Sequence, residues 1–94
     1  ERRLLTHLAA GDHDTPERQL LRQEIAQAVA DTVAQLPEEL RQAITLREVD
    51  GLSYEEIAQL MQCPIGTVRS RIFRAREAID ARLRPLLDNE RVRP

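Results

Sequence analysis

Apolar residues recur at steps of three and four along most of the chain, which is the spacing of one face of an α-helix. Turn-forming residues interrupt this spacing and predict four helices, near residues 15–36, 37–50, 53–62 and 64–83. No segment alternates between apolar and polar residues for long enough to predict a strand. The pattern therefore predicts an all-α domain of four helices, without the strands that would make a wing.

The first two predicted helices have recognisable start and stop residues. Thr15 is a good N-cap, and Pro16 suits the first helical position because its missing N–H would have no acceptor there. Pro37 is assigned the same first position in the second helix. Gly51 is placed just beyond the end of the second helix, where a left-handed backbone favours glycine.

The third predicted helix begins with two local devices. Ser53 and Glu56 have the spacing of a capping box, in which each side chain bonds to the backbone N–H of the other residue. Leu52 and Ile57 flank the cap as a hydrophobic staple. Pro64 cannot lie inside this helix, but it suits the first position of the fourth, so a tight corner is predicted between them.

The third and fourth predicted helices each have an apolar face. On the third helix this face comprises Ile57, Leu60 and Met61. On the fourth helix it comprises Ile65, Val68, Ile72, Ala75, Ile79 and Leu83. A separate patch projects beside this second stripe and consists of Arg69, Ser70, Phe73 and Arg74. Two helices joined by a tight turn, the second with an outward arginine patch, are typical of a helix-turn-helix, whose second helix enters the major groove.

The two ends of the chain differ from the centre. Residues 1–14 are predicted to be a flexible inter-domain linker, because a cluster of glycine and aspartate breaks their short apolar pattern. Pro85 is expected to end or kink the fourth helix, and residues 88–94 are expected to form a loose charged tail. The start at Glu1, without methionine, suggests a fragment of a longer protein.

Charge is unevenly distributed along the chain. The net charge is −2, but the segment Pro64–Arg84 alone carries +4, which leaves −6 on the remainder. A basic helix on an acidic body would attract phosphate at one face and repel it elsewhere. All fourteen basic residues are arginine, whose planar guanidinium pairs with guanine edges or phosphate; a coding bias of the source genome is an equally good explanation.

Several classes of function lack the residues they need. The single cysteine, Cys63, excludes an internal disulfide, and no apolar run reaches membrane-spanning length. His7 and His13 have no further ligands at metal spacing, so neither a metal nor a cofactor is expected. The pairs Glu38–Glu39 and Glu55–Glu56 are adjacent residues that do not face each other on a helix, and each suits a first turn. Enzymatic activity is therefore not predicted.

The segment Leu36–Gly51 and the segment Leu52–Arg76 together resemble the C-terminal domain of a bacterial RNA polymerase sigma factor. The resemblance is to the extracytoplasmic-function group, of the envelope-stress or alginate-regulating type. It covers about Pro16–Leu87, and its most specific part is Cys63–Asp80. The resemblance implies a cytoplasmic bacterial protein that binds the −35 promoter element through its helix-turn-helix and directs RNA polymerase to stress-response promoters.

The resemblance also implies partners and site residues. The expected partners are promoter DNA, the β-subunit flap of core RNA polymerase and an anti-sigma factor, with no membrane contact by this domain, which acts as a monomer. The other family domain, which melts the −10 element, is not present, so this fragment should not initiate transcription alone. The implied base-reading residues are Arg69, Ser70, Phe73 and Arg74, with Thr67 nearby. The implied phosphate contacts are Arg47, Tyr54, Gly66, Arg71 and Arg76.

Some of these assignments have structural alternatives. Phe73 could be a core ring instead of an exposed one, and Tyr54 could equally pack in the core beside the helix cap. Arg71 and Arg76 could form ion pairs instead of phosphate contacts. Two other functions fit the pattern: the effector domain of another regulator, binding a palindrome as a dimer, and an arginine face that binds only protein.

Overall fold

The computed structural model describes residues 15–92, with side chains described up to residue 88. These residues form four helices and no strand: α1 is Pro16–Gln35, α2 is Glu38–Glu48, α3 is Tyr54–Met61 and α4 is Ile65–Val92. The prediction of an all-α, four-helix domain is confirmed. The predicted linker, residues 1–14, lies outside the described residues. Within the described part, none of the helices is both long and apolar enough to span a membrane.

A proline lies at the start of both α1 and α2, but the first proline is the first helical residue and the second is the N-cap. The hydroxyl of Thr15 accepts a hydrogen bond from the Arg18 N–H at 3.1 Å, so Thr15 is the N-cap and Pro16 the first helical residue, as predicted. Pro37 is itself the N-cap of α2, and its carbonyl accepts from Arg41 N–H at 2.9 Å. The prediction for Pro37 was wrong by one residue, because the fixed φ of proline also fits the extended cap backbone.

The start of α3 has the predicted capping box. The Ser53 hydroxyl accepts from the Glu56 N–H at 3.0 Å, and the Glu56 carboxylate accepts from the Ser53 N–H at 2.8 Å. Gly51, just before this cap, has a φ of +72°, which confirms its left-handed backbone. At the other end of α3, Gln62 adopts a φ of 55° and turns the chain toward α4.

Pro64 precedes α4 instead of occupying its first position. Its carbonyl accepts from the N–H groups of Thr67 at 3.0 Å and Val68 at 3.2 Å, which are the first bonds of the helix. The Cys63 N–H is directed back to the Ala58 carbonyl at 3.1 Å, so the corner is closed by backbone bonds on both sides. The tight corner of the predicted helix-turn-helix is therefore present between α3 and α4.

The core lies where α2, α3 and α4 meet. Its fully buried residues are Ala43, Ile44, Ile57, Val68, Ile72 and Ala75. Helix α1 adds partly buried side chains from Val33 and, beyond its end, Leu36. Burying one side chain the size of isoleucine stabilises a fold by about 1.5–3 kcal/mol. The apolar stripe predicted on α4 is thus confirmed, whereas Leu60, predicted to face the core from α3, is 63% exposed.

Helix α4 continues through Pro85 to Val92, so the predicted end at residue 83 was wrong. The predicted looseness of residues 88–94 stays a prediction. The proline leaves the carbonyl oxygen of Ala81 without its helical donor. Ala81 is exposed, so water can bond to that oxygen. Pro85 and Leu86 line a groove with Ala28 of α1, so α4 runs beside α1 at the proline.

Candidate nucleic-acid interface

Helix α4 has a buried face and an exposed face, and the predicted base-reading residues lie on the exposed one. Val68, Ile72 and Ala75 are fully buried against α2 and α3. The residues of the exposed patch are Arg69, Ser70, Phe73 and Arg74. Each of the four comes one or two residues after a buried position, Val68 or Ile72. Burial of one face of the helix therefore turns the other face toward solvent. We call this patch the arginine face.

Phe73 is the main apolar element of the arginine face. Its side chain is 62% exposed, which confirms the exposed interpretation and excludes the core ring. Arg74 makes no hydrogen bond or ion pair with any described residue. An exposed aromatic ring beside an unpaired guanidinium presents both an apolar contact for a thymine methyl group and a fork of donors for guanine.

The first turn of α4 adds the two smaller predicted residues. Gly66 is exposed, and a Cβ built on it would meet no atom within 4 Å. Thr67 is half-buried next to it. N–H groups in the first turn of a helix lack intrahelical acceptors and lie at the positive end of the helix dipole. This end of α4 can therefore donate hydrogen bonds to a phosphate oxygen.

Arg47 and Tyr54 lie together at the junction of α2 and α3. The Arg47 guanidinium donates to the Leu52 carbonyl at 2.8 Å, and its Cζ is 4.9 Å from the centre of the Tyr54 ring. The Cζ of Arg69, from α4, is 6.0 Å from the centre of the same ring. Tyr54 also packs against the core, which confirms the alternative that this residue packs beside the helix cap. Its side chain is only partly buried, so it also reaches the surface.

Arg71 is separated from the arginine face. It is half-buried, and its Nη1 lies 3.8 Å from the Cys63 sulfur and 4.0 Å from the Met61 sulfur, against the corner between α3 and α4. Sulfur is a weak acceptor, so these two hydrogen bonds are weak. The structure therefore does not bring Arg71 together with the other predicted DNA contacts.

Arg76 forms an ion pair, which was the alternative to a phosphate contact. Its Nη2 donates to the Glu48 carboxylate at 2.5 Å, and the two side chains are 49% and 53% exposed. The hydrogen bond to Glu48 is the largest cause that raises the pKa of the Arg76 guanidinium above its ordinary value, with smaller contributions from Tyr54. No local pattern indicates this pair, because Glu48 and Arg76 are 28 residues apart.

A second surface feature was not predicted from the sequence. It is a groove of about 480 Å³ between α2 and α3, lined by Arg41, Gln42, Thr45, Leu46, Leu60 and Met61. At 100° per residue, the three polar α2 residues of this groove lie about 120–160° around the helix axis from Arg47. The groove therefore uses a different side of α2 from the side that carries the candidate DNA contact. The feature that distinguishes this groove is the exposed apolar side chain of Leu60.

Comparison with protein families gives a match over most of the central chain. Residues 23–79 match the family model described as Sigma-70, region 4. This span contains all of α2 and α3, both residues of the Arg76–Glu48 pair and the whole arginine face.

Comparison with characterised proteins gives relatives of one kind. The chain is 65% identical over 82 residues to the RNA polymerase sigma-H factor of Pseudomonas aeruginosa, covering 82% of this chain and 42% of that protein. It is 58% identical over 82 residues to the ECF RNA polymerase sigma-E factor of Haemophilus influenzae, covering 87% and 42%. The sigma-E factor of Escherichia coli is 65% identical over 72 residues, covering 77% and 38%. The chain thus spans about two fifths of the length of the curated relatives it matches.

Proposed function

The chain belongs to the sigma-70 region 4 family, as the C-terminal domain of an extracytoplasmic-function sigma factor, and on that premise we propose that it binds the −35 element of promoter DNA. In the complete protein this binding directs RNA polymerase to stress-response promoters in the bacterial cytoplasm. The domain acts by recognition and not as an enzyme.

The observation that carries this proposal is the division of α4 into two faces. Val68, Ile72 and Ala75 are buried, so the helix cannot rotate without breaking the core. The arginine face is held out as a consequence, at the N-terminal half of the second helix of a helix-turn-helix. An Arg that pairs with guanine O6 and N7 contributes about 1–3 kcal/mol of discrimination against other bases.

The proposed contacts divide into two groups. Base edges are read by Arg69, Ser70, Phe73 and Arg74, with Thr67 at the edge of the patch. Backbone phosphates are bound by Arg47, Tyr54 and the first turn of α4 at Gly66. Arg71 and Arg76 are secondary phosphate contacts, because each already has a partner within the protein.

Protein partners would use a different surface. We propose that the β-subunit flap of RNA polymerase docks in the apolar groove around Leu46, Leu60 and Met61. An anti-sigma factor would inhibit by covering the same groove. The exposed Leu60 supports this assignment, and so does the position of the groove away from the Arg47 side of α2. The chain would then bind DNA and polymerase at the same time, as a monomer.

The test is selection of duplexes from a random pool by the chain tethered to RNA polymerase, followed by a salt titration of the selected duplex. We expect one asymmetric site and an affinity that falls steeply with salt, because phosphate contacts release counterions. The double variant Arg69→Ala/Arg74→Ala should lose both affinity and base preference. If the double variant binds and selects as the unaltered chain does, the arginine face does not read DNA and its role is protein binding.

The alternative, a dimeric effector domain of another regulator, gives a different assembly. Sedimentation of the 94-residue chain with a selected duplex should show one chain per duplex. A stable dimer on inverted half-sites would instead support the alternative. We also expect only micromolar or weaker affinity without polymerase, because nonspecific binding lies near 10⁻⁴–10⁻⁶ M and the acidic body opposes the DNA charge. A nanomolar dissociation constant for the free chain at physiological salt would contradict this expectation.

A further inference from the structure

We propose that Tyr54 is a positioning residue for base recognition: its ring holds the guanidinium of Arg69 in orientation, so Tyr54 shapes sequence preference at the base pair that Arg69 reads. This inference rests on the proposed function of Arg69 as a base reader. It differs from the role of phosphate contact that the family resemblance implies for Tyr54, because the action passes through a second side chain and needs the ring instead of the hydroxyl.

The position of Tyr54 is fixed by the backbone around it. It is the first residue of α3, directly after the N-cap Ser53, and the two hydrogen bonds between Ser53 and Glu56 set the direction in which the helix begins. The Tyr54 side chain is half-buried and packs against the core. The helix cap and the core together fix the position of the ring, so a flexible side chain can be ordered against it.

Arg69 has no stronger partner that would orient it. No carboxylate lies within ion-pair distance of Arg69 among the described residues, and the Tyr54 ring lies 6.0 Å from its Cζ. A guanidinium at this distance from an aromatic ring is attracted by the ring's negative face. Partial ordering in the free protein reduces the rotamer freedom that Arg69 loses on binding, which improves affinity for the base that fits that orientation.

Arg47 makes the ring part of a larger arrangement. Its guanidinium lies 4.9 Å from the ring centre and is tied to the Leu52 carbonyl at 2.8 Å. Tyr54 therefore contacts a cation from α2 and a cation from α4. The ring links the element that is proposed to bind phosphate to the element that is proposed to read bases.

Arg74 supplies a matched control on the same face. Like Arg69 it is exposed and carries a proposed base-reading role, but it makes no hydrogen bond, ion pair or ring contact with Tyr54 or any other described residue. Loss of the Tyr54 ring should therefore change the contribution of Arg69 and leave the contribution of Arg74 unchanged. A general loss of folding would change both.

The experiment is a pair of double-mutant cycles on the 94-residue chain. The variants are Tyr54→Leu, Tyr54→Phe, Arg69→Ala and Arg74→Ala, with Tyr54→Leu combined with each arginine variant. The readouts are base preference from a random duplex pool and dissociation constants on the selected duplex and its single-base changes. Thermal unfolding of every variant, followed by circular dichroism, checks that it folds.

We expect Tyr54→Leu to lower discrimination about two- to fivefold at the base pair that Arg69→Ala also affects, the size of an exposed cation–π contact. Tyr54→Phe should keep the preference. The effect of Tyr54→Leu should disappear in the Arg69→Ala background and persist in the Arg74→Ala background. The positioning role is overturned if Tyr54→Phe loses as much discrimination as Tyr54→Leu. It is also overturned if the effects of Tyr54→Leu and Arg69→Ala on discrimination are additive.

Two further outcomes separate this inference from the proposed function. If Arg69→Ala leaves the preference unchanged at every base pair, the base-reading role of Arg69 fails. If Arg69→Ala flattens the preference but Tyr54→Leu does not, only the role of Tyr54 fails. Should Tyr54→Leu unfold, proton NMR of the unaltered chain decides: ring current must shift the Arg69 side-chain protons upfield relative to those of Arg74, and equal shifts overturn the inference.

Discussion

Arg76 of α4 donates a hydrogen bond to Glu48 at the end of α2, with 2.5 Å between Nη2 and the carboxylate oxygen. The pair joins α4 to α2, the helix before the helix-turn-helix. It also occupies a guanidinium that could otherwise contact a DNA phosphate. Because both side chains are about half exposed, solvent screens the pair, and its contribution to stability is at most about 1 kcal/mol.

The first prediction is that Glu48→Gln increases DNA binding at little cost in stability. The substitution removes the partner of Arg76 and one negative charge from the acidic body, so Arg76 becomes available to phosphate. We expect tighter duplex binding with unchanged base preference, and a salt slope steeper by about one contact. The free energy of unfolding, measured with urea, should fall by at most about 1 kcal/mol.

Glu39→Gln is the control for this prediction. Glu39 is exposed in the first turn of α2 and has no partner among the described residues, so its substitution removes the same charge without releasing an arginine. An equal change in salt slope for both variants would show that net charge, and not Arg76, is responsible. The ion pair should not respond to pH in the neutral range, because the raised pKa of Arg76 lies far above that range and the guanidinium loses its charge only as pH rises through it.

The second prediction separates binding from stability at Phe73. Phe73 is 62% exposed, so Phe73→Ala should change the free energy of unfolding by no more than about 0.5 kcal/mol. Duplex affinity should nevertheless fall, with weaker preference at a base pair containing thymine, because an apolar contact with its methyl group is lost. Leu60→Ala is the matched control, since Leu60 is 63% exposed but lies in the groove; it should leave duplex binding unchanged.

The third prediction concerns the capping box. Ser53→Ala removes the acceptor for the Glu56 N–H and should lower the free energy of unfolding by about 1 kcal/mol, measured by urea denaturation. Ser70→Ala changes the same residue type in the exposed face of α4, where alanine is a better helix former, so stability should not fall. A loss of stability equal to that of Ser53→Ala would mean that the cap makes no specific contribution.

The fourth prediction follows from the continuous course of α4. Pro85→Ala restores the hydrogen bond to the Ala81 carbonyl and should raise the free energy of unfolding by about 1–2 kcal/mol, less than the full proline penalty because Pro85 is exposed and lies in the last turns of α4. Pro16→Ala should give no such gain, because proline at a first helical position omits a donor that is not needed there. A rise in helical signal from residues 85–92 would instead show that the proline ends the helix.

The sequence alone was enough to predict most features that depend on near neighbours, although Pro37 and Pro64 each lie one residue before the predicted position. The Ser53–Glu56 box, the Thr15 cap and the left-handed Gly51 were all correctly predicted, because each depends on bonds or backbone preferences within a few residues. The exposed position of the arginine face was also correctly predicted. A helix with one apolar stripe must bury that stripe, and the remaining positions then face solvent whatever it packs against.

Tertiary structure decided the features that depend on how the helices meet. The pairing of Arg76 with Glu48, the contact of Arg71 with two sulfur atoms and the position of two guanidinium groups over Tyr54 join residues from different helices. Helix α4 likewise continues past Pro85 beside α1, and the packing of α3 leaves Leu60 outside the core. Helical periodicity gives the direction of a side chain around the axis of its own helix. Only the way the helices cross determines which side chain of another helix it meets.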